Sequence, residues 1–237
     1  MRGVYLLLIS VAVLLLASPA RAFTVTLGGA TATDGSGLTS AYAQQPGFTV
    51  VNFGAEDCSA LGTSIVAGVP YTQSGISYTG NGNRACGSLL SNYAAPAGDK
   101  TVYLTVPDTA LGRTGMVNAS VSANLGPLNY FGLYWGSVDR YNSLTLSSGG
   151  SVVATVSFDW TVDGMPRNRY VNVQLDSGQT YDSVQLISNG VAFESDNHVF
   201  GYVEVPEPAS PMLLGSGLLA LAALRRRRAP ASPEPRA

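Results

Sequence analysis

The chain has 237 residues, of which only 12% are charged and 27 are glycine, a balance that suits a turn-rich β protein better than a helical one. Its overall charge of −2 hides a segregation: residues 23–205 carry 13 acidic and 6 basic side chains, a net charge of −7. A surface of that sign repels phosphate backbones and anionic lipid, which argues against nucleic acid as a partner.

In chain order, the first segment is a targeting signal. Arg2 supplies a basic start, Val4 to Leu16 is apolar apart from Ser10, and Ala20-Arg21-Ala22 is a small-x-small cleavage site. Residues 1–22 therefore read as a secretory signal peptide, with the Sec translocon and signal peptidase as handling partners. The apolar run is shorter than the roughly 20 residues of a spanning helix. Export places the only two cysteines, Cys58 and Cys86, in an oxidising compartment, and they are expected to form a disulfide.

The body, residues 23–204, is cut into short runs by Gly, Asn, Asp and Pro. Predicted strands are Phe48–Phe53, Gly75–Thr79, Thr101–Val106, Met116–Ala123, Leu128–Tyr134, Ser143–Ser147, Val152–Phe158, Tyr170–Leu175, Ser183–Ser188 and Val199–Val205. A short helix is expected within Asp57 to Ala67. Val102, Leu104 and Val106 alternate with Thr101, Tyr103 and Thr105, and Val117, Ala119, Val121 and Ala123 alternate with polar residues. Period two is the mark of half-buried antiparallel strands. Ser148-Gly149-Gly150-Ser151 is a hairpin signal. The fold class that follows is all-β, a single antiparallel β-sandwich or jelly roll.

Past residue 204 the chain changes character. Val205-Pro206-Glu207-Pro208 is followed by an apolar stretch, Met212 to Leu224, that suits one short hydrophobic helix. Arg225, Arg226, Arg227 and Arg228 come next, and residues 229–237 form a polar, cytoplasmic extension. An apolar span stopped by arginines is a stop-transfer order, and its shortness suits transient insertion in the inner membrane.

This three-part order over 205–228 resembles the PEP-CTERM sorting domain of Gram-negative surface proteins. The resemblance implies exosortase as the processing partner, cleavage near Pro-Glu-Pro, and a destination at the cell surface or in the extracellular matrix. Three body segments resemble a family of exosortase-dependent surface proteins: Asn92-Tyr93-Ala94-Ala95-Pro96, Asn129 to Asp139 with Tyr141-Asn142, and Ala192-Phe193-Glu194 with Asp196-Asn197. That family implies a compartment and a β fold but no reaction.

No catalytic constellation stands out, and the chain reads as a non-enzyme. A Ser-His-Asp site would need His198, the only histidine, which reads as an exposed or edge side chain; there is no Gly-x-Ser-x-Gly turn. The main reading is a structural or interaction protein associated with exopolysaccharide. A lectin-like module is the alternative, with Tyr134, Trp135, Asp139, Arg140, Tyr141 and Asn142 as glycan-binding candidates, and a secreted hydrolase ranks third. Against the lectin set, period two puts Phe131, Leu133 and Trp135 on a core face and turns Tyr130 and Tyr134 outward. The only cofactor suggested is calcium, with Asp34, Glu194, Asp196 and Asn197 as candidate oxygen donors and a solvated acidic turn as the competing reading.

Overall fold

A computed structural model describes residues 23–54, 56–89, 93–107, 114–159, 167–205 and 215–219. It separates into two units, Met1–Val203 and Glu204–Ala237. The predicted signal peptide, Pro206 to Pro208 and Arg225 to Arg228 lie outside the described residues. In the second unit residues 215–219 are helical and exposed. No described helix is long and apolar enough to cross a membrane.

The first unit begins with β1 (Phe23–Leu27), β2 (Ala30–Thr31), β3 (Leu38–Thr39) and β4 (Thr49–Val51), then helix α1 (Cys58–Leu61). There follow β5 (Ser64–Gly68), β6 (Tyr71–Gln73), β7 (Ile76–Gly80), β8 (Asn83–Cys86), β9 (Tyr103–Val106) and β10 (Gly115–Val121). The last six are β11 (Tyr130–Trp135), β12 (Asn142–Ser148), β13 (Ser151–Ser157), β14 (Arg169–Leu175), β15 (Ser183–Ser188) and β16 (Phe193–Gly201). One sheet runs β1-β14-β11-β16-β9-β8-β5, with β4 also on β16; the other runs β13-β12-β15-β10-β7-β6. Pairing is antiparallel throughout the described ladders, for example Phe131 opposite Val173 and Leu144 opposite Leu186. Side chains of both sheets, among them Leu104, Phe131, Val171, Val117, Leu144 and Leu186, form one buried cluster. The fold is an all-β sandwich.

The expected periodicity holds in the second sheet, where β10, β12 and β15 alternate buried and more exposed positions. The β12–β13 hairpin turns on Gly149 and Gly150, with φ of 55° and 80°. Two successive positive φ values twist the turn to match the strands, and glycine adopts them without a Cβ clash.

The first sheet departs from the expectation because it is covered on both faces. Tyr130 and Tyr134 do point away from the inter-sheet core, yet both are buried, in a second cluster with Tyr170 and Val199. Residues of the segment 38–50, including Leu38, Tyr42 and Phe48, pack onto it. The Ser40 hydroxyl lies 2.6 Å from Tyr130 Oη, and the Tyr42 and Phe48 rings stack at 5.0 Å beside Tyr130. Thr101, Tyr103 and Thr105, expected to be half-exposed, are buried as well, and Tyr103 Oη donates to the Gly87 carbonyl at 2.6 Å.

Two further boundaries differ. The helix is confined to Cys58–Leu61, capped by Asp57, whose carboxylate accepts from Ser59 N at 2.8 Å; the β-branched run from Ser64 then forms β5. The last strand starts at Phe193 and ends at Gly201, instead of occupying Val199–Val205. The disulfide is formed, with Cys58 and Cys86 Cα atoms 5.3 Å apart, and ties α1 to β8.

Gly132 makes the tyrosine layer possible. A Cβ there would sit 2.6 Å from Tyr130 Oη and 2.7 Å from Tyr170 Oη. Gly132→Ala is expected to destabilise the domain by about 1–3 kcal/mol through overpacking, measured by chemical denaturation.

Candidate functional site

The middle strand of the first sheet carries the most polar run of the core. In β16, Glu194, Ser195, Asp196, Asn197 and His198 are all buried. A bulge lies here: Tyr134 pairs with Asp196 but Gly132 with Val199, and Asn197 takes φ of 49°. Such an extra residue re-aims its neighbours. Phe193 and Phe200 face the inter-sheet core, whereas Val199 joins the outer tyrosine cluster. Asn197 Nδ2 donates toward Ser36 O, Ser36 Oγ and Leu38 O at 3.0, 2.7 and 2.9 Å, fastening the N-terminal cover to the sheet.

His198 is fully buried, which corrects its reading as an exposed or edge side chain. Its Nδ1 is 2.9 Å from Tyr78 Oη and its Nε2 3.0 Å from Ser195 Oγ. Burial drives its pKa down to about 3, so the ring is neutral. The Ser195–His198 spacing is that of a nucleophile and its base, but both side chains are fully buried, with the Phe53 and Phe131 rings 4.9 and 5.5 Å from the imidazole.

Asp196 is likewise sealed, and its pKa is raised well above the carboxylate range, by burial and then by repulsion from Asp99. Thr101 Oγ1 and N both donate to Asp99 Oδ1 at 2.8 Å, leaving Asp196 Oδ2 a long 3.4 Å contact to the same hydroxyl. Asp196 Oδ1 and Asp99 Oδ2 are buried without a hydrogen-bond partner.

The candidate calcium donors do not converge. Asp34 accepts from Ser36 N at 3.0 Å and from the Ser36 hydroxyl, and Asn197 presents its donor nitrogen rather than its oxygen to that segment. Glu194 is held elsewhere by Ala94 N at 2.8 Å. Among the described residues no group of three or more acidic, His or Cys side chains is placed to hold a metal ion. The competing solvated turn does not describe Glu194, Asp196 and Asn197, which lie in a buried strand, whereas Asp34 sits in an exposed turn.

The candidate glycan set divides. Trp135 is 0% exposed, stacked on Phe193 at 4.3 Å with its Nε1 donating to Ser137 O at 2.9 Å. Tyr134 is 2% exposed, its hydroxyl donating to Ala97 O at 2.6 Å. Asn142 is buried and donates to Ser137 O and Ala192 O at 3.2 and 3.0 Å. None of these three offers a surface to a sugar. Arg140 is exposed. Asp139 and Tyr141, by contrast, line an open pocket of about 390 Å³.

That pocket is built by three separate stretches of chain. Tyr93 and Ala94 come from the loop before β9, Ser137, Asp139 and Tyr141 from the turn after β11, and Glu194 from β16. Ser88 and Arg167 complete its wall. The turn is rigid: Tyr141 Oη lies 3.0 Å from Asp139 Oδ2 and also contacts Val191 O, and the Tyr141 ring packs over Gly190, where a Cβ would meet it at 2.8 Å. Glu194, on the pocket floor, is 2% exposed, and burial pushes its pKa up to about 7 despite bonds from Ser137 and Ala94. Ser137 Oγ is within donating reach of both Ala192 O, at 3.1 Å, and Glu194 Oε2. Sequence reasoning missed Ser88, Tyr93, Ser137 and Arg167 as lining residues, although Tyr93 and Ser137 sit inside segments singled out by resemblance.

The tail supplies the second functional element. Residues 204–228 match the PEP-CTERM protein-sorting motif. The chain carries a PEP-CTERM sorting motif. The motif makes it an exported, surface-directed protein with exosortase as its processing partner. No curated protein and no solved structure matches the chain. In this PEP-CTERM protein the matched stretch begins three residues after Gly201, the last residue of β16.

Proposed function

We propose that exosortase delivers this PEP-CTERM protein to the cell surface or extracellular matrix, where the sandwich has a non-catalytic structural or interaction role within exopolysaccharide. The observation that carries the reading is the place of the sorting motif. It starts at residue 204, beyond the last sandwich strand, so cleavage near Pro206-Glu207-Pro208 releases a domain that keeps every described strand. The signal peptide at residues 1–22 would bring the chain to the Sec translocon. The enclosure of Ser195, Asp196 and His198 favours a structural role for these groups over a catalytic one.

Two measurements on the protein made in an exosortase-bearing Gram-negative host test this. Its intact mass is expected to correspond to a chain starting at Phe23 and ending near Pro206, and it should co-fractionate with the polysaccharide. A mass that retains Met212 to Leu224, or a protein recovered free of polysaccharide, would overturn the reading.

A further inference from the structure

The pocket lined by Ser88, Tyr93, the 137–141 turn and the start of β16 has the features of a ligand site, and we propose that it binds a neutral hexose unit of the surface polysaccharide. The proposal deepens the function above and rests on it for the source of the ligand. Its volume of about 390 Å³ falls within the range of small-molecule sites. Its wall offers donors and acceptors together with aromatic rings: Asp139 and Ser88 beside Arg167, with Tyr93 and Tyr141. A sugar ring presents the matching surfaces, hydroxyls that both donate and accept around its rim and C–H faces that pack on aromatic carbon.

Charge narrows the class. Asp139 lines the cavity of a domain with net charge −7, which disfavours a uronic acid or a sulfated sugar. Arg167 on the same wall disfavours a cationic amine. A neutral polyol satisfies both without burying an unpaired charge. The site is also preorganised: Asp139, Tyr141 and Ser137 are held by hydrogen bonds within the turn and to residues 191, 192 and 194. The groove lined by Tyr42, Tyr130 and Asn172 is a poorer fit, because the Asn172 amide already donates to Thr26 O and Gly28 O and accepts from Tyr130 Oη.

The test is calorimetric titration of the exported, mature protein with gluco-, galacto- and manno-tetrasaccharides, with tetragalacturonate as the charged control. At least one neutral series is expected to bind with a Kd below about 1 mM, and the uronate at least about tenfold more weakly. Asp139→Asn keeps an acceptor for Tyr141 but loses the charge, and Arg167→Gln shortens and neutralises the wall. Each should weaken binding about tenfold or more with an unchanged melting temperature. Silence across all three neutral series overturns the proposal, as does wild-type affinity in both variants. A protein that co-fractionates with polysaccharide but fails the titrations loses this site alone. One that binds tetrasaccharides yet is recovered free of polysaccharide loses the wider reading instead.

Discussion

A Cys58→Ala/Cys86→Ala variant is expected to melt about 6–16 °C below the native protein. The disulfide closes a loop with a sequence separation of 28 residues, and in the chain-entropy picture such a cross-link contributes about 3–4 kcal/mol by restricting the unfolded ensemble. For a domain of this size each kcal/mol is worth about 2–4 °C in Tm. The loop holds α1 and β5 to β8, among them the outermost strands of both sheets, β5 and β6. Ile65 and Leu61 are exposed, so this margin has little apolar burial of its own to hold it. Gly62 and Gly75 within the loop occupy positive φ, and glycine-rich chain is the most costly to order. Alanine is preferable to serine because Cys86 is fully buried and a hydroxyl there would need a partner. Thermal melts of native and variant protein, with and without reductant, make the comparison. A difference below about 3 °C would mean that the bridge adds little to a domain already fixed by its sheets.

The elements legible in the sequence were those whose two faces meet different surroundings. Ser183–Ser188 appears as read, with Val184 and Leu186 in the core and Ser183, Gln185 and Ile187 less buried. The glycine pair at 149 and 150 marked its hairpin for the same local reason. The first sheet was harder because the 38–50 segment, with Gly87 and Ala97, closes its outer face, and no period within β11 or β9 encodes a cover drawn from elsewhere in the chain. Tyr130 and Tyr134 look like surface tyrosines until Ser40, Tyr42 and Ala97 are placed over them. β16 was the hardest. Glu194 to His198 has the composition of a solvated loop, yet its polar side chains are all buried, and those of Glu194, Asp196, Asn197 and His198 meet residues distant in sequence, from Ser36 to Ser137. The candidate pocket was half legible for the same reason: Asp139 and Tyr141 lie in one readable stretch, but Tyr93, Arg167 and Glu194 join them only through the sheet order.

Glu194→Gln is expected to turn a pH-dependent weakness into a constant. In the folded domain the Glu194 carboxyl has its pKa pushed up to about 7, chiefly by burial, against 4.5 for an ordinary glutamate. Below pH 4.5 the folded and unfolded states both hold the proton, and the group leaves stability unchanged with pH. Between 4.5 and 7 the unfolded chain releases the proton while the folded one retains it, so stability falls as pH rises. The fall is about 3 kcal/mol in all, at about 1.4 kcal/mol for each pH unit between those two values. Asp99 and Asp196, also raised, act in the same direction. His198, lowered to about 3, acts oppositely, losing stability as pH falls from 6.5 through 3. The raw profile of the native protein therefore mixes signs, and the difference between native and variant isolates Glu194. Glutamine keeps a carbonyl oxygen for Ala94 N and carries no charge at any pH, so it mimics the neutral form. The gap in unfolding free energy should be flat below pH 4.5 and widen in favour of Glu194→Gln up to about pH 7. A gap that stays flat from pH 4 to 8 would show that Glu194 is ionised in the folded domain. The pocket floor would then carry a negative charge against the cost of its burial, held there by the bonds from Ala94 N and Ser137 Oγ.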